Sequence, residues 1–191
     1  MEKRILRLYK KTVSIVNETP INMYEKLVGT KKGFLLESYD KDYDRYTFFG
    51  AEPDEIITSE GQSLVITCAD GTGKVFPGNP CELLKEYYSS FEIRKDNQEL
   101  AFTGGLVGNL GYDFVRYTEQ LPDQNPDTIG IETIQMMLMT RFVLVDHVAE
   151  TLTAIVLAAD DADGQQQAQG QIEEMIKICR SAGNEPIRKN F

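Results

Sequence analysis

The 191 residues are 41% hydrophobic and 26% charged, with 30 Asp and Glu against 20 Lys and Arg, a formal net charge of −10. A chain this long and this apolar builds a core without staples, and its acidity repels phosphate backbones and anionic membranes, so nucleic acid and membrane fall away as expected partners. No apolar run approaches the ~20 residues of a bilayer span. Cys68, Cys81 and Cys179 are far apart and form no CxxC pair, which points to reduced thiols and a cytoplasmic setting. Residues 1–8 mix charge with aliphatic side chains, unlike a signal peptide.

Residues 5–16, rich in aliphatic and β-branched side chains, read as a first strand. Thr19 and Pro20 start a helix, with Ile21, Tyr24, Leu27 and Val28 at helical spacing and Gly29 to end it. Residues 34–38 read as a short buried strand, 39–44 as a polar loop and 45–49 as the next strand. Ile56 and Ile57, then residues 64–68, continue the strand pattern, with an Asp70-Gly71 turn before Val75. Asn79, Pro80, Cys81 and Glu82 start a second helix expected to reach about residue 91 and to bury Leu83, Leu84 and Tyr87. Residues 94–100 read as a charged loop, 133–148 and 151–159 as two long strands, and 165–182 as a helix with Ile172, Met175, Ile176 and Cys179 as its apolar stripe. The tally is eight or nine strands and three helices without regular alternation, hence an α+β fold with helices packed on antiparallel sheets.

Chemistry-bearing patterns are sparse. His147 is the one histidine; with no second metal ligand or nucleophile elbow beside it, it reads as a strand-end residue with a local hydrogen bond. Glycines 104, 105, 108 and 111 match neither GxGxxG nor a phosphate loop; in a strand they imply a bulge or a close backbone approach. Glu37 ends one strand and Arg45 and Tyr46 open the next. A carboxylate, a guanidinium and an aromatic face near one hairpin suit a zwitterionic amino acid, with Glu37 for the ammonium, Arg45 for the carboxylate and Tyr46 or Phe48 for an apolar ring. A Glu37–Arg45 pair across a hairpin end is the commoner outcome for such residues.

The ordered set of residues 34–38 (Phe-Leu-Leu-Glu-Ser), 45–50 (Arg-Tyr-Thr-Phe-Phe-Gly), 102–108 (Phe-Thr-Gly-Gly-Leu-Val-Gly) and 111–116 (Gly-Tyr-Asp-Phe-Val-Arg) resembles the N-terminal domain of anthranilate synthase component I and of its relative aminodeoxychorismate synthase component I. The resemblance runs from about residue 13 to 156. It implies an enzyme of tryptophan biosynthesis that converts chorismate to anthranilate with magnesium and with ammonia from a glutamine amidotransferase subunit. In that family the chorismate and magnesium residues lie in a larger C-terminal domain, so the resemblance carries no catalytic residue onto this chain. It implies a regulatory domain over residues 1–185, with 186–191 as the start of a linker to that C-terminal domain.

The same resemblance implies an L-tryptophan effector site, with Glu37 and Ser38 from the Leu-Leu-Glu-Ser motif and Tyr43, Asp44, Arg45 and Tyr46 from the loop and strand that follow. The family often has Ser where this chain has Thr47. Two other readings stand beside it: the matching domain of the folate-pathway enzyme, and a stand-alone amino-acid-binding module.

Overall fold

The computed structural model describes residues 1–15, 18–37, 45–95, 100, 102–122 and 130–181. Alternating side chains give β1 (Arg4–Ser14), in which Leu6 and Leu8 face one way and Tyr9 and Val13 the other way. Thr19 then caps α1 (Pro20–Leu27), its hydroxyl accepting from the Asn22 N–H at 3.2 Å, and proline occupies the first turn. Next come β2 (Gly33–Glu37), β3 (Tyr46–Ala51), β4 (Glu55–Ser59), β5 (Ser63–Cys68) and β6 (Gly73–Pro77). Asn79 caps α2 (Pro80–Ser89) through bonds from the Cys81 and Glu82 N–H groups at 2.9 and 3.4 Å. The Glu82 carboxylate pairs with Lys85 at 2.8 Å.

The second helix stops at Ser89, short of the expected residue 91, because residues 91–94 are recruited as a strand. β7 (Phe91–Arg94) pairs in parallel with Arg4 to Arg7 of β1. After it come β8 (Gly105–Leu110), a 3-10 helix (Tyr112–Tyr117), β9 (Ile134–Met139), β10 (Arg141–Asp146), β11 (Thr151–Ala159) and α3 (Ala162–Arg180). The last helix begins three residues earlier than the glutamine run suggests, because the Asp161 carboxylate accepts from the Gly164 N–H at 2.7 Å. Its stripe of Ile172, Met175, Ile176 and Cys179 is buried as expected.

The α+β class holds: the strands form a six-stranded sheet, β2-β3-β10-β11-β1-β7, and a five-stranded sheet, β6-β5-β4-β9-β8. Every pairing is antiparallel except β1 with β7. α1 and α3 cover one face of the larger sheet, meeting Phe49, Val143, Val145, Leu152, Ala154 and Val156. Its other face presents Phe34, Phe142, Leu144, Ile155 and Leu157 to Val107 and Met139 of the smaller sheet. The far face of the smaller sheet packs on Tyr87 of α2.

Residues 133–148 are two strands rather than one. The chain crosses between sheets at Thr140, where the Asp54 carboxylate accepts from both the Thr140 N–H and its hydroxyl. Apolar side chains continue through the crossing, so no turn residue marks it. At Gly108, a Cβ would lie 2.0 Å from the Gln135 carbonyl oxygen of the paired strand. Gly108 therefore allows the close backbone approach that glycine in a strand implies. The expected linker, residues 186–191, lies outside the described residues.

Candidate functional site

The residues expected to bind an amino acid gather at one end of the larger sheet, where β2 ends, β3 begins and β10 ends. Of the six, Glu37, Arg45 and Tyr46 are described; Ser38, Tyr43 and Asp44 lie outside the described residues. Register places Glu37 opposite Thr47, and Tyr46 opposite Asp146. Glu37 shares the face of Leu35 and Thr47, the side covered by helices, whereas Tyr46 shares the face of Phe48. A ligand touching both must therefore sit across the end of the strands.

Arg45 does not pair with Glu37. Its Nε and Nη2 donate to Asp146 Oδ2 at 3.1 and 2.9 Å, and its guanidinium carbon lies 5.0 Å from the centre of the Tyr46 ring. The other carboxylate oxygen of Asp146 accepts from the Val148 and Ala149 N–H groups, both at 3.0 Å, and so shapes the turn into β11. Arg45, aided by those N–H groups, holds the Asp146 carboxyl below its ordinary range. Only Asp146 could have been suspected beforehand as Arg45's partner, by its place at a strand end; a hundred residues of separation hide the pairing.

The expected strand-end role of His147 is observed. Its backbone N–H donates to the Arg45 carbonyl at 2.8 Å, extending the ladder, and its Nε2 hydrogen-bonds to the Thr47 hydroxyl at 2.8 Å. Thr47 is fully buried, so this is the partner its hydroxyl requires. Beside these residues opens a cleft of about 620 Å3, lined in part by Glu18, Thr19, Asp146, His147 and Glu150. Three carboxylates and one imidazole make it an acidic recess. Glu18 is held by Lys26 at 2.5 Å and Asp146 by Arg45, whereas Glu150 in the cleft and Glu37 at the neighbouring strand end form no ion pair among the described residues. On the opposite face, Tyr46 and Phe48 begin an aromatic run that continues through Phe102 to Phe142, with ring centres 6.1, 5.6 and 4.9 Å apart in turn.

Among the described residues no three His, Cys, Asp or Glu side chains are grouped to hold a metal ion. Among the described residues no helix is long and apolar enough to cross a membrane.

This geometry can be set beside known proteins. Anthranilate synthase component 1 of Acetivibrio thermocellus is 29% identical over 141 residues, 73% of this chain and 28% of the relative. The protein of the same name from Pseudomonas putida is 32% identical over 173 residues, 85% of this chain and 34% of the relative. The chain resembles anthranilate synthase component I. The crystal structure of anthranilate synthase component I from Streptococcus pneumoniae superposes with a TM-score of 0.60 at 24% identity, covering 86% of this chain and 35% of that one; that likeness supports the fold. No family model matches the chain. The chain spans roughly a third of the length of the anthranilate synthase relatives it matches.

Proposed function

We propose that this chain is the effector-binding part of an anthranilate synthase component I, and that L-tryptophan is the effector. The observation that carries the reading is the convergence of Glu37, Arg45, Tyr46 and Asp146 on one sheet end, within a chain whose relatives bear that enzyme's name. Glu37, without an ion pair of its own, would take the ammonium. Arg45 keeps Nη1 outside its bond to Asp146 and would offer it to the carboxylate. Asp146 would then fix the guanidinium rather than compete with the ligand, and Tyr46 would supply an apolar face. Ser38, Tyr43 and Asp44 belong to the same proposed site.

On this reading the whole protein is cytoplasmic, converts chorismate to anthranilate and receives ammonia from a glutamine amidotransferase subunit. The magnesium and chorismate residues would belong to the C-terminal two-thirds of such a protein, beyond a linker beginning near residue 186. These 191 residues alone would release no anthranilate from chorismate. Inhibition would be a population shift, tryptophan binding best to the domain arrangement that binds chorismate worst.

The test is thermal unfolding of this chain titrated with L-tryptophan and with L-phenylalanine. A ligand at about 100 times its dissociation constant adds about 2.7 kcal/mol, several degrees for a domain of this size. Tryptophan should raise the midpoint and phenylalanine should not, and Glu37→Gln should abolish the difference. Equal shifts from both amino acids, or none from either in this chain and in a longer protein containing it, would remove the effector reading.

A further inference from the structure

A second cavity lies far from the Glu37 end, where the two sheets meet. It measures about 260 Å3; Leu6, Ile93, Leu138 and Leu157 form its apolar floor, and Tyr88 and Lys95 stand among its lining. An apolar cavity of about 150 Å3 already accepts benzene, so this one has room for a ring and a short tail. Core side chains ordinarily close such space. Here part of the lining is glycine: Gly105, and its neighbour Gly104, have φ of +123° and +92°, values that other residues rarely adopt. A Cβ at Gly104 would come within 2.6 Å of Leu157 Cδ1.

Among the described residues that line this cavity, Lys95 carries the charge. Arg94 is bound to Asp160 at 2.7 Å and to Glu92 at 3.3 Å, whereas the next residue, Lys95, forms no ion pair among the described residues. Lys95 is exposed and lines the cavity, so its ammonium can turn toward an anion held there. The Thr103 and Tyr88 hydroxyls are the other polar side-chain groups among the lining residues.

We propose that this cavity binds a small arylalkyl carboxylate, with its ring against Leu6, Leu138 and Leu157 and its carboxylate on Lys95. The inference is independent of the tryptophan reading, since it shares none of that site's residues.

The experiment is isothermal titration calorimetry of the 191-residue chain with 3-phenylpropionate, and with 3-phenylpropan-1-amine as the same ring and tail carrying the opposite charge. The carboxylate should bind saturably in the millimolar range and at least about tenfold more tightly than the amine. Lys95→Glu, an exposed change that leaves the fold intact, should lower carboxylate affinity about tenfold and erase the preference. Leu157→Phe should block both ligands; its thermal midpoint, matched to the parent, guards against misreading a folding defect. The proposal is overturned if 3-phenylpropionate fails to saturate by about 10 mM, if the amine binds equally well, or if Lys95→Glu changes nothing.

Discussion

Thr47 and His147 are joined across the β3–β10 ladder by a 2.8 Å hydrogen bond, which ties a fully buried hydroxyl to the chain's one histidine. The two partners are not equivalent. The imidazole is exposed and can turn to water, whereas the hydroxyl has no access to it. Removing His147 therefore strands a buried polar group and should cost about 1–3 kcal/mol, while replacing Thr47 with its apolar isostere should cost about 1 kcal/mol or less. Urea unfolding should rank His147→Ala as the more damaging single change. Thr47→Val with His147→Ala should be more stable than His147→Ala alone. The reverse order would mean that the hydroxyl is satisfied elsewhere.

Arg45 and Asp146 set the acid response at the same sheet end. The Asp146 carboxyl lies below its ordinary value in the folded chain, chiefly because Arg45 donates to it. A depressed folded value means that the stabilisation is present above the unfolded carboxyl range, near pH 4. It fades as pH falls through the depressed value. Carboxyl carbon shifts followed by NMR should show Asp146 titrating low in the parent chain and moving up toward the ordinary carboxylate range in Arg45→Gln. An unmoved titration would assign the depression to the Val148 and Ala149 N–H groups instead.

Two glycines, separated by what surrounds them, should respond oppositely to alanine. At Gly108 the new Cβ meets the Gln135 carbonyl at 2.0 Å and the Met136 Cα at 2.8 Å, both backbone atoms of the paired strand, so the β8–β9 ladder must part. At Gly170, exposed in the middle of α3, nothing lies within 4 Å. Gly170→Ala should stabilise the chain by about 1 kcal/mol through helix propensity. Gly108→Ala should destabilise it by more than about 3 kcal/mol, among the largest single-residue effects. Thermal unfolding of the two variants checks the contrast, and similar midpoints would contradict it.

What could be read beforehand divides by the range of the interaction. The caps at Thr19 and Asn79, the Asp70-Gly71 turn and the stripe of α3 depend on neighbours within four residues, and the sequence displays them directly. β7 escaped because Phe91 to Arg94 become a strand only by pairing with Arg4 to Arg7, at the opposite end of the chain's first half. The crossing at Thr140 escaped because its marker, Asp54, is 86 residues away. At the candidate site, alternation places Glu37 and Tyr46 on opposite faces only once the register of β2 against β3 is known. The Arg45–Asp146 bond is a contact between distant strand ends, which the spacing of residues 37–46 does not contain.

Arg4, Glu55 and Tyr87 hold the two sheets and α2 together. Arg4 Nη1 and Nη2 donate to Glu55 at 2.6 and 3.3 Å, and the Tyr87 hydroxyl donates to the same carboxylate at 2.6 Å. The guanidinium carbon also lies 4.6 Å from the centre of the Phe91 ring. A lysine at position 4 would keep the charge but lose the two-pronged fork and the stacking. Arg4→Lys should therefore cost about 1 kcal/mol, and stability equal to the parent would show that charge alone suffices. Burial first, then the bond to the Glu55 carboxylate, raises the Tyr87 phenol well above its ordinary value. A raised folded value means that stability is intact below about pH 10 and declines as pH climbs beyond the unfolded value. Absorbance near 295 nm should show Tyr87 ionising only as the chain unfolds in alkali, and Tyr87→Phe should flatten that alkaline decline. Ionisation of Tyr87 in the folded chain near pH 10 would mean that the hydroxyl is not confined against Glu55.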